Sequence, residues 1–133
     1  MWYSEKNFVN YFGGTSFQSK PICTDTTEIR NSRSVRHLGP RDSSIPALSV
    51  YAHDYASGTE QIFTTRAASN FGFTANYAVA SGYSSWTLYY NADFTGNSTC
   101  LSSKGTIIGK SVVFRSAVMG CSEQCIQYFY RSW

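Results

Sequence analysis

Charge is scarce in this sequence. Of 133 residues only 14% are charged, with eleven Lys and Arg against eight Asp and Glu. A formal net charge of +3 does not build the broad basic surface that nucleic acid requires, so no nucleic-acid partner is expected. Histidine is scarcer: His37 and His53 are the only imidazoles, which leaves little material for general-base or zinc chemistry. Three Pro and ten Gly exclude a collagen-like or low-complexity chain. No run approaches the ~18 apolar residues of a membrane-spanning helix. The N-terminus shows no charged start followed by an apolar signal core. No window holds a 3.6-residue apolar period between credible caps, so no long helix is predicted.

What the chain has instead is aromatic residues. Ten Tyr, nine Phe and three Trp make up 17% of it, set among many Ser, Gly and Asn. That is the composition of short strands joined by turns. Alternation at period two supports strands at Ser49-Val50-Tyr51-Ala52 and at Trp86-Thr87-Leu88-Tyr89. Ser111-Val112-Val113-Phe114 reads as a further strand. Four cysteines, Cys23, Cys100, Cys121 and Cys125, form an even set in a small β-rich chain, which fits two disulfides and an oxidising, extracellular compartment. The zinc alternative lacks a CxxC pair and nearby His. Asn97-Ser98-Thr99 is an N-glycosylation sequon, consistent with a secreted protein.

The chain also repeats itself. Leu48-Ser49-Val50-Tyr51 is followed by His53-Asp54-Tyr55 and Gly58, and Trp86-Thr87-Leu88-Tyr89 by Ala92-Asp93-Phe94 and Gly96. Each is a strand, a polar turn, an aromatic and a glycine. A third copy opens the chain at Tyr3-Ser4-Glu5-Lys6-Asn7-Phe8-Val9-Asn10. Each copy later reaches a strand with β-branched or small polar residues: Ser34-Val35-Arg36, Asn76-Tyr77-Ala78-Val79 and Ser111-Val112-Val113. Copies beginning near residues 2, 48 and 86 give a period of about forty. Four short strands cannot bury an apolar face alone, so two units should pack face to face.

Tyr89-Tyr90-Asn91-Ala92-Asp93-Phe94-Thr95-Gly96 resembles the hairpin motif of the βγ-crystallins: an aromatic, four residues, an aromatic, one residue, then Gly. Tyr3 to Asn10 is similar, with Asn10 in the Gly place. The second copy departs, because Tyr51 and Tyr55 are one residue too close and Gly58 one too far. Ser34 and Ser111 match the Ser of the family's later strand, while Ala75-Asn76 lies near that place in the second copy. The resemblance covers roughly residues 2–121. It implies an all-β, Greek-key β-sandwich with little or no helix. It further implies a first motif and linker over 1–44, paired motifs forming one domain over 45–121, and a C-terminal strand over 122–133 packing back on the first motif.

Four cysteines allow three pairings. The expected ones are Cys100–Cys121, closing the third motif, and Cys23–Cys125, tying the tail to the first. The unpaired first motif is expected to offer a surface for a protein partner or for self-association. Many βγ-crystallins bind calcium through two adjacent Asn or Asp, two spacers, then Ser/Thr-Ser. Here Thr106 and Ile107 stand in the acidic places of the third copy and Ile29 and Arg30 in those of the first. The second copy keeps only Asn70 and Thr74, so a degenerate calcium site is the expectation there. No cofactor is otherwise expected. His53 beside Asp54 sits in a predicted turn, Gly82-Tyr83-Ser84-Ser85-Trp86 lacks the last Gly of a nucleophile elbow, and the carboxylates are scattered. A non-enzymatic, secreted structural or interaction protein is therefore expected. The alternative is a secreted effector, a small toxin or protease inhibitor, with Ser102-Ser103-Lys104-Gly105 as its candidate loop. Arg30, Arg33, Arg36, His37 and Arg41 form a basic segment, expected to be a solvated strand edge.

Overall fold

The structure is a computed structural model, and it describes residues 1–3, 11–13, 33–104 and 107–121. Eleven strands and no helix are found among these residues: β1 (Trp2–Tyr3), β2 (Tyr11–Gly13), β3 (Ser34–Val35), β4 (Ala47–His53), β5 (Ser57–Phe63), β6 (Ala67–Ala68), β7 (Ala75–Ser81), β8 (Ser85–Tyr89), β9 (Ser98–Ser102), β10 (Ile107–Phe114) and β11 (Ser116–Met119). The fold is all-β, as composition and period predicted. Every pairing is antiparallel.

Three sheets result. A small one has the order β2-β1-β3, and two four-stranded ones have the orders β10-β7-β4-β5 and β6-β11-β8-β9. Between residues 45 and 121 the two larger sheets exchange strands. β6 follows β5 in sequence yet pairs with β11, while β10 follows β9 yet pairs with β7. Each sheet therefore reads, from one edge, as an incoming strand, then the last, first and second strands of its own segment.

Alternation explains the packing. On β4, Leu48 and Val50 point into a core shared by both large sheets. They meet Ala78 and Ala80 of β7, Trp86 and Leu88 of β8, Leu101 of β9, Phe114 of β10 and Ala117 of β11. Trp86 is fully buried, and its indole N–H donates to Ser84 Oγ at 2.9 Å, so its polar edge is satisfied without water. Phe71 packs edge-on to Phe114 with centroids 5.6 Å apart, closing one end of this core. A core of this kind, rich in Ala on one strand and aromatic on those opposite, is tuned by volume, so Trp86→Ala or Leu88→Ala would leave a void.

The opposite face of β4 is buried too. Tyr51, Tyr77 and Val79 form a second apolar cluster against Met1, Leu38 and Ile107. The small N-terminal sheet reaches it: the Tyr3 hydroxyl donates to the Tyr55 carbonyl at 2.8 Å. Arg36 lies 5.5 Å from the Tyr51 ring centroid and donates to the Ala56 carbonyl at 2.5 Å. The stretch from Gly39 to Pro46, which runs past the end of the expected first motif and linker at residue 44, is pinned at both ends. Gly39 N–H donates to the Tyr51 hydroxyl at 3.2 Å, and Ser81 Oγ donates to the Ile45 carbonyl at 2.8 Å.

Candidate functional site

The β8–β9 hairpin carries the motif singled out in the sequence. Tyr89 and Phe94 meet edge to face, with centroids 6.4 Å apart and planes at 88°. Gly96 sits at φ 89° and Phe94 itself at 61°. The turn is closed by Asn91 N–H to Thr95 O at 3.1 Å and by Tyr90 N–H to Asn97 O at 3.0 Å. Phe94 is 37% exposed. The serine that ties the hairpin down is Ser116 of β11, not Ser111. Ser116 Oγ accepts from Phe94 N–H at 3.1 Å and donates to the Asn91 carbonyl at 2.5 Å. The reason is the strand exchange: β10, with Ser111, leaves for the other sheet, and β11 lies beside β8 with Ser116 opposite Tyr89.

Ser111 binds elsewhere. Its hydroxyl donates to Asp54 Oδ1 at 2.5 Å, and the same carboxylate accepts from Tyr55 N–H at 2.8 Å. Asp54 thus caps the β4–β5 turn. In that hairpin Ala56 (φ 57°) stands five residues after Tyr51 and two before Gly58 (φ 77°), the spacing of Phe94 between Tyr89 and Gly96. The apparent shift of the second motif is therefore a replacement. Positive φ recurs at both places, the aromatic has become Ala, and Tyr55, itself at φ 51°, falls beside the position.

Cys100 of β9 and Cys121, just after β11, form a disulfide with Cα atoms 5.7 Å apart. It staples the two strands flanking β8. Cys23 and Cys125 lie outside the described residues, as do the tail 122–133, Arg30 and the turn of the first motif. Asn97 is exposed at the end of the β8–β9 turn. Asn70 is exposed at φ 56°, and the Thr74 carbonyl accepts from Asn76 Nδ2 at 3.3 Å, so the two candidate calcium ligands stand on either side of the Phe71-Gly72-Phe73 bend. Among the described residues no group of three or more His, Cys, Asp or Glu converges as a metal site. Of the basic segment, Arg33, His37 and Arg41 are exposed, while Arg36 is turned onto Tyr51. Lys104 is exposed, but Ser103 before it is buried and its N–H donates to the Ser84 carbonyl at 2.8 Å.

The charged side chains of this region hold structure in place. Asp42 accepts from Ser44 Oγ and Ser44 N–H at 2.6 and 3.0 Å, and these bonds hold its carboxyl below the ordinary carboxylate value. Arg115 lies 5.1 Å from the Tyr90 ring centroid and donates to the Tyr90 carbonyl at 3.3 Å. Burial, then the hydrogen bond to Glu60, push the Tyr51 phenol far above its ordinary value. Sequence reasoning missed the role of Ser116, which the small-residue run after Arg115 signalled. It read Tyr3 as the first aromatic of a hairpin motif, and nothing in the local sequence signalled its bond to the Tyr55 carbonyl. No protein-family model, curated protein or solved structure matches this chain.

Proposed function

We infer that this is a secreted, non-enzymatic structural or interaction module, a βγ-crystallin-like Greek-key β-sandwich whose residues 45–121 are a pair of repeats. The observation that supports the fold reading best is the exchanged strand order shared by both large sheets. A Greek key sends a strand away from its hairpin neighbours, and here each segment sends its third strand to the other sheet. How several charges are used supports the reading of its role. Asp42, Asp54, Glu60, Arg36 and Arg115 each hold a turn, a carbonyl or a ring, so these groups serve rigidity. The Cys100–Cys121 bridge fits an extracellular setting.

The test combines sedimentation with a turnover screen. The purified oxidised chain is expected to associate reversibly with itself or with an added extracellular matrix fraction, and to leave ester, peptide and glycoside substrates unchanged. Turnover that survives repurification and disappears on unfolding would overturn this role. One observation favours the inhibitor alternative: Lys104 is exposed directly after a strand end anchored at Ser103 and stapled at Cys100. Inhibition of a Lys-specific serine protease, lost in Lys104→Ala, is the result that would favour it.

A further inference from the structure

Phe94 poses a problem that its contact with Tyr89 does not solve. A phenylalanine at φ 61° occupies a backbone conformation that Gly or Asn takes more readily. The edge-to-face contact with Tyr89 leaves 37% of the residue exposed. Three residues on, Asn97 is exposed and its side-chain amide has no hydrogen-bond partner among the described residues. Both belong to one turn, closed by the Tyr90–Asn97 and Asn91–Thr95 backbone bonds, so their separation is fixed. Asn97 opens the sequon Asn97-Ser98-Thr99, and the next residue is the bridged Cys100.

We propose that Asn97 carries an N-linked glycan whose first N-acetylglucosamine packs on the exposed part of Phe94. The pairing of Phe94 with Asn97 at this spacing, in a turn the backbone holds shut, is what distinguishes this sequon from one that arises by chance in a Ser- and Thr-rich chain. The transfer is a substitution with no change of oxidation state. Asn97 Nδ2 forms a bond to C1 of the sugar at the reducing end of a lipid-linked oligosaccharide. The C1–O bond to the lipid diphosphate breaks, the diphosphate leaves with the electron pair, and an amide proton passes to a base of the transferase. The C–H-bearing face of the sugar is apolar, and an aromatic ring is the surface that such a face covers. The disulfide and the glycan form in the same oxidising compartment, so the two features agree on where the chain matures.

The inference rests on the extracellular reading of the natural protein. Expression behind a secretion signal in a eukaryotic host supplies that compartment, so the site is tested independently of where the natural chain resides. Parent, Asn97→Gln, Phe94→Ala and Phe94→Leu are secreted, and their glycans are trimmed enzymatically to a single N-acetylglucosamine. Each is compared with its unglycosylated, disulfide-intact counterpart from an oxidising bacterial periplasm. Peptide mass spectrometry should find Asn97 occupied in the parent and nothing at that position in Asn97→Gln. One retained sugar should raise the parent's melting temperature by a few degrees, and neither Phe94 variant should show the rise. Phe94→Leu keeps apolar bulk without the aromatic face, so it stands in if Phe94→Ala does not fold. Folded, secreted parent with bare Asn97 overturns the site. An equal rise in parent and Phe94→Leu overturns the packing.

Discussion

A methyl group added at Gly82 should separate conformational strain from steric conflict in this fold. Gly82 joins β7 to β8 at φ 66°, and a Cβ built there would lie 2.3 Å from both Ile45 C and Pro46 N. Those are backbone atoms, so no side chain can swing aside. The link must move, and two bonds move with it: Gly82 N–H to Ser43 O at 3.0 Å and Ser81 Oγ to Ile45 O at 2.8 Å. Left-handed strain for Ala is ~1–2 kcal/mol, and two weakened hydrogen bonds add ~0.5–1.5 kcal/mol each. Gly82→Ala should therefore cost about 2–5 kcal/mol, a large part of the ~5–15 kcal/mol available to a domain. Gly72 is the control: it has φ 81° and open space around its Cβ position, so Gly72→Ala should cost the strain alone, ~1–2 kcal/mol. Asn tolerates positive φ but keeps the Cβ. Gly72→Asn should be close to neutral and Gly82→Asn still severe. Urea denaturation followed by Trp fluorescence reads all four. If Gly82→Asn unfolds at the same urea concentration as Gly72→Asn, the close approach of the link to Ile45 and Pro46 is wrong.

The Cys100–Cys121 bridge closes a loop of sequence separation 21, so reduction or Cys100→Ser should cost ~3 kcal/mol in denaturant titrations. Phe94→Ala, at a half-exposed ring, should cost ~1–2 kcal/mol, whereas Trp86→Ala in the shared core should cost ~3–5 kcal/mol. Equal losses would mean that the hairpin ring is buried after all. The Tyr51 phenol is raised in the folded state, so its contribution is present below its ordinary value of 10.0 and is lost as pH climbs beyond it, because only the unfolded chain then ionises. Thermal melts should show stability falling above about pH 10, with a shallower fall in Tyr51→Phe. Millimolar calcium should leave the melting temperature of the parent unchanged; a rise abolished by Asn70→Ala would show that the second motif holds a working site.

β4, β8 and the start of β7 were legible from their aromatic, β-branched and small residues; of the three, β8 alone alternates cleanly, while β4 and most of β7 are buried on both faces. β5 and β9 were not legible, since Ser57-Gly58-Thr59-Glu60-Gln61 and Ser98-Thr99 have the composition of turns and owe their extension to the neighbouring strands. The exchange of β6 and β10 left no mark in the sequence. β6 is only Ala67–Ala68, and which sheet a strand joins is decided by cores that residues far apart build together. The same exchange hid the hairpin serine. Along the chain Ser111 of β10 comes before Ser116 of β11, but Ser116 is the one that returns to the hairpin. The Cys100–Cys121 pairing was legible because both cysteines fall within the segment read as the third copy, and the structure brings them together as β9 and β11 flank β8.

Ala56 shows how the N-terminal sheet relates to the rest. The β4–β5 hairpin shares with its β8–β9 counterpart the positive φ at Ala56 and Gly58, yet lacks the ring that meets Tyr89 edge to face in the other. A folded-over turn without that ring should fray, since its two exposed carbonyls and strained backbone have little to hold them. Tyr3 and Arg36 supply the missing hold from outside. The Tyr3 hydroxyl reaches the Tyr55 and Ala56 carbonyls, Arg36 reaches the Ala56 carbonyl, and Tyr3 and Ala56 are both fully buried. An aromatic delivered from another sheet thus does for this hairpin what Phe94 does for the other from within. The first sheet is consequently part of the packing of the β4–β5 hairpin, and the outer face of β4 and β7 is committed to it. Any surface for a partner is more reasonably sought on the opposite sheet, around the exposed turn of Phe94 and Asn97, where the chain spends strain without covering the ring.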